Sequence, residues 1–270
     1  MKLIVLLSVT AVVFHDFQAI ATDEAVTQAD NEQNEVLLKQ TRSSDEDSPY
    51  FFYQKPEYPK DCHEVFQKCV DDSSNGVHFI QPDGYPEPFE VYCNNTVDSG
   101  NWIVLQRRLD GGVDFNRDWN DYKQGFGFLH REFWLGNEKL SYITNQRDHE
   151  LRIDFVSKTG DPYFAKYNLF RLSDEQSMYR LIGLGDYDAF STVGHDAFRY
   201  NRGMPFSTRD RDNDRHSSSH CADLHRNGWW FDSCSWAYPN LPWGDSPYWL
   251  HFPGGNNNIR YIDMKIRPLL

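Results

Sequence analysis

Asn101-Trp102-Ile103-Val104-Leu105-Gln106-Arg107-Arg108 places a run of large apolar side chains between a turn-forming asparagine and a pair of arginines. Trp102 to Gln106 reads as a strand, because β-branched and aromatic residues fill it and turn-formers bound it. The same reading extends outward. Val77-His78-Phe79-Ile80 and Phe89-Glu90-Val91-Tyr92 precede it, bounded by Gly, Pro and Asn. Leu151-Arg152-Ile153-Asp154-Phe155-Val156 alternates apolar and polar residues, the period of a half-buried strand. Tyr163-Phe164-Ala165-Lys166-Tyr167 and Tyr179-Arg180-Leu181-Ile182 behave alike. Helices are fewer, with candidates at Cys62 to Cys69 and around Asp118 to Gly125. Beyond Gly194 turn-formers and aromatics dominate without periodicity. A long irregular region stays ordered with the help of metal ions or disulfides.

The N-terminus has a different character. Met1-Lys2 is followed by an apolar run over residues 3–14 and by Ala19-Ile20-Ala21. The run is shorter than the ~20 residues a membrane span requires. It reads as a secretory signal peptide over residues 1–21, the alternative being a buried element at the start of a domain. No later stretch is long and apolar enough to insert in a membrane, so a soluble, secreted, extracellular protein is expected. Residues 22–60 read as an acidic flexible linker, with Asp23-Glu24 and Ser43-Ser44-Asp45-Glu46-Asp47 and few apolar residues to bury. Tyr50-Phe51-Phe52-Tyr53 stands out there, as a segment that docks on the domain or as a contact between subunits.

Of 270 residues, 16% are aromatic, 8 of them Trp, and the formal net charge is −13. The charge argues against a nucleic-acid partner, which needs a basic field. Five cysteines (Cys62, Cys69, Cys93, Cys221 and Cys234) in a secreted protein are expected to be oxidised, with one left over as an intermolecular link or free thiol. Their spacing is not that of a zinc site. Asn94-Asn95-Thr96 is an acceptor sequence for N-glycosylation at Asn94.

Enzyme signatures are missing. There is no G-x-S-x-G, and His63-Glu64-Val65-Phe66-Gln67 has Gln where a second zinc ligand belongs. The Ser and His residues of 216–220 read as a polar loop, and no enzyme is expected. Asp210-Arg211-Asp212-Asn213-Asp214 is more informative. Alternate carboxylates in a looping segment can converge on one hard cation, and calcium takes six to eight oxygens; the alternative is a charged surface loop without a metal. The run is not an EF-hand, since Arg215 and Cys221 stand where Gly and Glu belong. A disulfide between Cys221 and Cys234 would close a short loop, contributing roughly 3 kcal/mol through loop-closure entropy. Trp229 and Trp230 are expected to divide, one inward and one outward, while Trp236, near turn-forming Pro239 and Pro242, faces a ligand.

These residues resemble a known family. Asn101 to Arg108, Gly112-Val113-Asp114-Phe115, Trp119, Tyr122-Lys123-Gln124-Gly125-Phe126-Gly127 and Glu132-Phe133-Trp134-Leu135-Gly136-Asn137-Glu138 are similar to fibrinogen-related domains. So are Phe206-Ser207-Thr208, His220-Cys221-Ala222 and Met264-Lys265-Ile266-Arg267-Pro268. The resemblance covers residues 61–268. It implies an α+β fold, the fibrinogen C-terminal-like domain. That fold has a small disulfide-bonded N-terminal lobe, a central antiparallel sheet with helices, and a loop-rich C-terminal lobe carrying calcium. It also implies the pairs Cys62–Cys93 and Cys221–Cys234, leaving Cys69 as the extra cysteine and a homo-oligomer as the expected assembly. Ca2+ is expected on Asp212 and Asp214 and on the backbone carbonyls near His216 and Ser218.

Several such proteins, the ficolins and tachylectins, are lectins, and the resemblance implies a pocket for an acetylated carbohydrate of the N-acetylglucosamine type. Here it is expected to comprise His220, Cys221, Trp236, Ala237, Tyr248 and Trp249. A cis peptide is expected at His220-Cys221, with the Cys221 N–H as donor and Ala237 beside the methyl slot. Cys234-Ser235-Trp236-Ala237 and Asn240-Leu241-Pro242-Trp243-Gly244 depart from the family pattern, so the pocket is expected to differ in shape. The first functional expectation is a calcium-dependent innate-immune lectin that agglutinates by binding acetylated glycans. The alternative is a protein-binding fibrinogen-like module in clotting, adhesion or receptor signalling.

Overall fold

In the computed structural model, which describes residues 56–68 and 74–269, the strand read from Trp102 runs as far as Arg108, and all seven of its side chains are buried. Burial on both faces explains why this run shows no alternation. The elements in sequence order are α1 (Cys62–Lys68), β1 (Gly76–Ile80), β2 (Phe89–Asn94), β3 (Trp102–Arg108), α2 (Trp119–Gln124), β4 (Phe126–Gly127), β5 (Phe133–Trp134), α3 (Asn137–Gln146), β6 (His149–Ser157), β7 (Pro162–Tyr167), β8 (Phe170–Leu172) and β9 (Leu181–Leu184). A 3₁₀ turn (Phe198–Asn201), α4 (Cys221–Leu224), β10 (Ala237–Tyr238), a second 3₁₀ turn (Trp243–Asp245), β11 (Tyr248–Trp249) and β12 (Ile259–Pro268) complete them.

The main sheet is antiparallel, in the order β1-β2-β3-β12-β6-β7, with β5 also on β3 and β4 on β5. The fold is therefore α+β with a central antiparallel sheet, as expected. The ten-residue β12 lies between β3 and β6 and bonds to both. Both expected helices form, as α1 and α2. The longest helix among the described residues, α3, was not expected: its buried face mixes Leu140 and Ile143 with Asn137, Ser141 and Thr144. That mixture hides the apolar stripe by which a helix is recognised.

Both disulfides implied by the resemblance form, Cys62–Cys93 and Cys221–Cys234. Tyr58 packs against Phe79 and the Pro59 carbonyl accepts the Gln81 N–H, so the end of the expected linker belongs to the domain. The expected signal segment, Tyr50 to Tyr53 and Cys69 lie outside the described residues. Among the described residues no helix is long and apolar enough to cross a membrane. Trp229 and Trp230 are both fully buried, which corrects the expected division. They sit on irregular backbone, where neighbours need not point to opposite faces. Trp229 packs on Phe198, and Trp230 on Phe206 with its indole N–H donated to the Tyr179 carbonyl.

The sheet is joined to the C-terminal loops by buried polar groups. Glu132 is fully buried and accepts backbone N–H bonds from Leu109 (2.7 Å), Asp110 (3.1 Å), Gly111 (3.0 Å) and Val113 (2.9 Å). Arg108 donates to the same carboxylate at 3.3 Å and to the Leu241 carbonyl at 2.7 Å, with its guanidinium over the Phe115 ring. Gln106 reaches Asn240, and Asn240 donates to the Gly228 carbonyl. Gly228 lies against the Tyr122 ring, where an added Cβ would come within 2.6 Å, so only glycine fits.

Burial alone raises the Glu132 pKa. The N–H groups of Leu109, Gly111 and Val113 and the Arg108 charge outweigh it and hold the carboxyl below its usual range. Such a depressed carboxyl stabilises the fold above its unfolded pKa and loses that contribution as pH falls through its folded pKa. Glu132→Gln keeps the shape but turns one acceptor into a donor facing N–H groups and leaves Arg108 unpaired. It is expected to cost about 3–5 kcal/mol in urea unfolding at neutral pH. The gap from wild type should narrow as pH falls below the ordinary carboxylate range.

Candidate functional site

The acidic run lies on a loop after Thr208. Asp210 is committed to the fold: its carboxylate accepts the Trp119 N–H at the start of α2 (2.8 Å) and the Thr208 hydroxyl (2.7 Å). Asp214 accepts the backbone N–H groups of His216 and Cys221, each at 2.8 Å, and Asp212 accepts that of Asp214 at 3.3 Å. The three neighbouring arginines turn elsewhere. Arg209 pairs with Asp118, Arg211 lies over the Trp119 ring, and Arg215 makes a two-pronged pair with Asp232. Among the described residues, Asp212 and Asp214 therefore have no cationic partner. Burial raises the Asp214 pKa and the neighbouring Asp212 adds to it, against the lowering effect of the two N–H donors.

Two oriented, unneutralised carboxylates on alternate residues are a donor set that fits a hard cation. His216 and Ser218 lie on the same loop, the Ser218 N–H donating to His216 Nδ1 at 3.3 Å. No group of three or more His, Cys, Asp or Glu side chains gathers for a metal among the described residues. The rest of a shell here would fall to backbone carbonyls and water.

The Cys221–Cys234 bridge connects this loop to the expected ligand pocket, which is built differently from expectation. The cis peptide is at Ser233-Cys234, on the other half-cystine, and not at His220-Cys221. His220 has an extended backbone and leads into α4, with its ring Nε2 3.0 Å from the Thr208 carbonyl oxygen. The Cys221 N–H, expected to serve a ligand carbonyl, is engaged by Asp214. Ala237 and Trp249 pair across the β10–β11 ladder and are both fully buried, which takes them out of a ligand-facing wall. The Trp249 indole N–H donates inward to the His195 carbonyl at 2.9 Å. Trp236 keeps 39% exposure and Tyr248 is partly exposed, so these two remain at the surface.

Two aromatic groups flank the bridge. In the first, Tyr238 packs on His225 (ring centroids 4.5 Å apart), Tyr248 (5.6 Å) and Phe231 (6.0 Å). The Tyr238 hydroxyl accepts the Ser235 N–H, and that of Tyr248 accepts from Asn256. Burial raises the Tyr238 pKa to about 12 and lowers that of His225. Leu224, on α4 beside His225, is 62% exposed.

In the second group, Trp236 stacks on Tyr200 with centroids 4.6 Å apart and planes 16° off parallel. His195 lies 6.0 Å from Trp236 and 4.8 Å from His251. Burial lowers the His195 pKa, with His251 and Arg199 acting the same way and Asp196 opposing. His251 has a left-handed backbone, φ 59°, held by its N–H to Asn256 Oδ1 at 2.8 Å. Sequence reasoning did not single out His195, Tyr200, His225 or His251. They come from three separate stretches, 195–200, 225 and 251, without periodicity, and no local pattern in the sequence marks them.

Comparison with known proteins agrees with this architecture. Residues 58–269 match the family model of the fibrinogen beta and gamma chains, C-terminal globular domain. Fibrinogen-like protein A of Apostichopus parvimensis is 41% identical over 238 residues, 85% of this chain and 82% of that protein. Tenascin-R of Mus musculus is 38% identical over 219 residues, 79% of this chain but 16% of the tenascin. The fibrinogen-like globe domain of human ANGPTL2 superposes with a TM-score of 0.73 at 34% identity, covering 78% of this chain and 99% of that one. Lamprey fibrin D-dimer, complexed with the peptide ligand Gly-His-Arg-Pro-amide, has a TM-score of 0.68 at 29% identity, covering 94% of this chain and 88% of that one. The protein belongs to the family defined by the C-terminal globular domains of the fibrinogen beta and gamma chains.

Proposed function

We propose that this protein is a secreted, non-catalytic recognition module that binds a protein or peptide partner on the loop face fixed by the Cys221–Cys234 bridge. One observation carries this reading: two large apolar side chains stay exposed next to the bridge, Trp236 two residues after Cys234 and Leu224 three residues after Cys221. Large apolar side chains on segments held by a covalent bridge are preorganised contact area, and Trp and Tyr are enriched among the residues that carry protein interfaces. The peptide complex of lamprey fibrin D-dimer gives a precedent within the family. Two disulfides support an extracellular setting.

The acetylated-glycan reading, expected first, loses support. A slot for an acetyl methyl group needs open surface at Ala237, which is fully buried, and a free Cys221 N–H, which Asp214 holds. The protein-binding alternative needs neither.

Calcium forms the second part of the proposal. Asp212 and Asp214 would hold one Ca2+, whose positive charge would neutralise the pair and steady the loop ahead of Cys221. Calorimetric titration of wild type with CaCl2 is expected to show a single site with Kd on the order of 10⁻⁴–10⁻³ M, the range of extracellular modules. Asp214→Asn should abolish the heat, and equal heats in both proteins would remove the assignment.

A display library of random 12-residue peptides tests the ligand class. Wild type should enrich a family of peptides that compete with one another, and Trp236→Ala should lose them while melting within a few degrees of wild type. Saturable, Trp236-dependent binding of free N-acetylglucosamine without peptide enrichment would restore the lectin reading.

A further inference from the structure

Helix α3 buries three polar residues, Asn137, Ser141 and Thr144, and two of them have evident partners. Asn137 accepts the Trp134 indole N–H at 3.1 Å. The Thr144 hydroxyl donates to the Leu140 carbonyl (2.8 Å) and accepts the Leu172 N–H (3.1 Å). Ser141 is the third, and it is 7% exposed. Its backbone carbonyl accepts from the side chains of Thr144 and Asn145, but its hydroxyl makes no hydrogen bond among the described residues. A buried hydroxyl without a partner is costly. Ser141 lines a cavity of about 510 Å³, where a bound group can supply that partner.

The cavity is formed by α3, the turn at Asp83 and the turn after β8. Four carboxylates line it, Asp83, Glu138, Asp174 and Glu175, and none of its described lining residues is a lysine, arginine or histidine. Two of the four are neutralised: Asp83 pairs with Lys60 at 2.9 Å, and Glu175 pairs with Lys123. The other two are bonded to neutral donors. Glu138 accepts the Tyr179 hydroxyl, and Asp174 accepts the Ser177 N–H at 2.9 Å. Lys123 also feels the Glu138 charge, so one ammonium group stands against Glu138 and Glu175 together. Arg211 lies over the Trp119 ring, whose indole N–H donates to Glu175, and it is not on the cavity wall. The walls themselves therefore fix the sign of the charge the cavity lacks.

These walls are preorganised. The turn after β8 closes through the Met178 N–H to the Glu175 carbonyl and the Tyr179 N–H to the Asp174 carbonyl, both at 2.9 Å. The Asp83 N–H donates to Gln146 Oε1 on α3 at 3.2 Å. Tyr142, which also lines the cavity, is held edge-on against Tyr85 with ring centroids 5.1 Å apart. A metal ion does not suit the arrangement, since among the described residues no three His, Cys, Asp or Glu side chains gather closely enough to hold one. Carboxylates spread along a cavity of ligand size suit a larger cation that brings several N–H donors of its own.

We propose that this cavity is a second binding site, and that it takes a guanidinium or primary ammonium group carried on a short aliphatic chain. Glu138 and Asp174 would accept its charged N–H bonds, which are stronger than neutral ones. The Ser141 hydroxyl would accept another, and the Tyr142 ring would flank the cation or its stem. None of the lining residues belongs to the loop face at the Cys221–Cys234 bridge, so this inference stands apart from the reading of that face.

The test is calorimetric titration of the full-length protein at low salt, with n-butylguanidinium as the probe and n-butylurea as its uncharged equivalent in shape. Saturable binding of the first and none of the second is expected. Glu138→Gln and Asp174→Asn should each weaken it about tenfold, and Ser141→Ala about threefold. Glu87→Gln, which removes an exposed carboxylate outside the cavity, should leave it unchanged. Asp174 is exposed and its Asn replacement can still accept the Ser177 N–H, so that variant decides the matter if Glu138→Gln loses its fold through Tyr179. Acetyl-Gly-Arg-Gly-amide separates two sources of the same chemistry. Binding with the same dependence on the variants assigns the site to basic side chains of a protein partner, and its exclusion while butylguanidinium still binds assigns the site to a free small cation. No saturable heat, equal binding of butylurea, or binding indifferent to both Asp174→Asn and Ser141→Ala overturns the inference. So does a calcium heat that Asp174→Asn removes and Asp214→Asn does not, which would make the cavity a metal site.

Discussion

A carboxylate removed from water must find its solvation in the protein, and Glu132 finds it in a ring of backbone N–H groups and one guanidinium. The ring closes only if the backbone after β3 curls back on itself between Leu109 and Val113. It closes only if Arg108 projects from the end of that strand. Arg108 in turn ends on the Leu241 carbonyl, in the lobe that carries the proposed binding face. Gln106 and Asn240 make a second connection beside it, and Tyr122 a third through Gly228. Loops with little regular hydrogen bonding of their own are thus referred to the sheet through buried polar contacts. Satisfied networks of this kind specify one arrangement more sharply than apolar packing does, because each alternative leaves a group unpaired.

Much of the scaffold was legible in the sequence. The alternation of Leu151 to Val156 and the apolar run from Trp102 have one inexpensive explanation each, and both are strands of the main sheet. Helix α3 was not legible, because Asn137, Ser141 and Thr144 occupy buried positions where apolar residues would have advertised a helix. Asn137 is there to accept the Trp134 indole N–H, a tertiary reason that local pattern cannot carry. At the candidate site the carboxylates could be picked out by spacing. Which of them remained unpaired could not, since that depends on where Arg209, Arg211 and Arg215 turn. Ala237 and Trp249 were misplaced for a related reason. Two-residue strands leave no periodic trace, yet their pairing decides which side chains go inward.

The abundance of aromatics in the C-terminal lobe is ambiguous in sequence and becomes clear only by contact. Trp229, Trp230, Phe206 and Phe198 stack into the interior, whereas Trp236 a few residues on is left outside. The Cys221–Cys234 bridge lies between these two outcomes. It closes the loop that carries the buried pair and ties α4 to the segment that presents the exposed indole.

The position of β12 bears on how such a protein is made. It is the last of the described strands to leave the ribosome, yet it lies in the middle of the sheet, between β3 and β6. Until it arrives, β3 and β6 each present an open edge, and open edges invite pairing with other molecules. Synthesis proceeds at about 5–20 residues per second, so these edges stay open for many seconds in every nascent molecule. Vectorial folding can build the α1–β1–β2 end early and lock it through Cys62 and Cys93. The sheet itself can be assembled only after translation of β12, which makes the newly made domain a natural client for chaperones that shield strand edges.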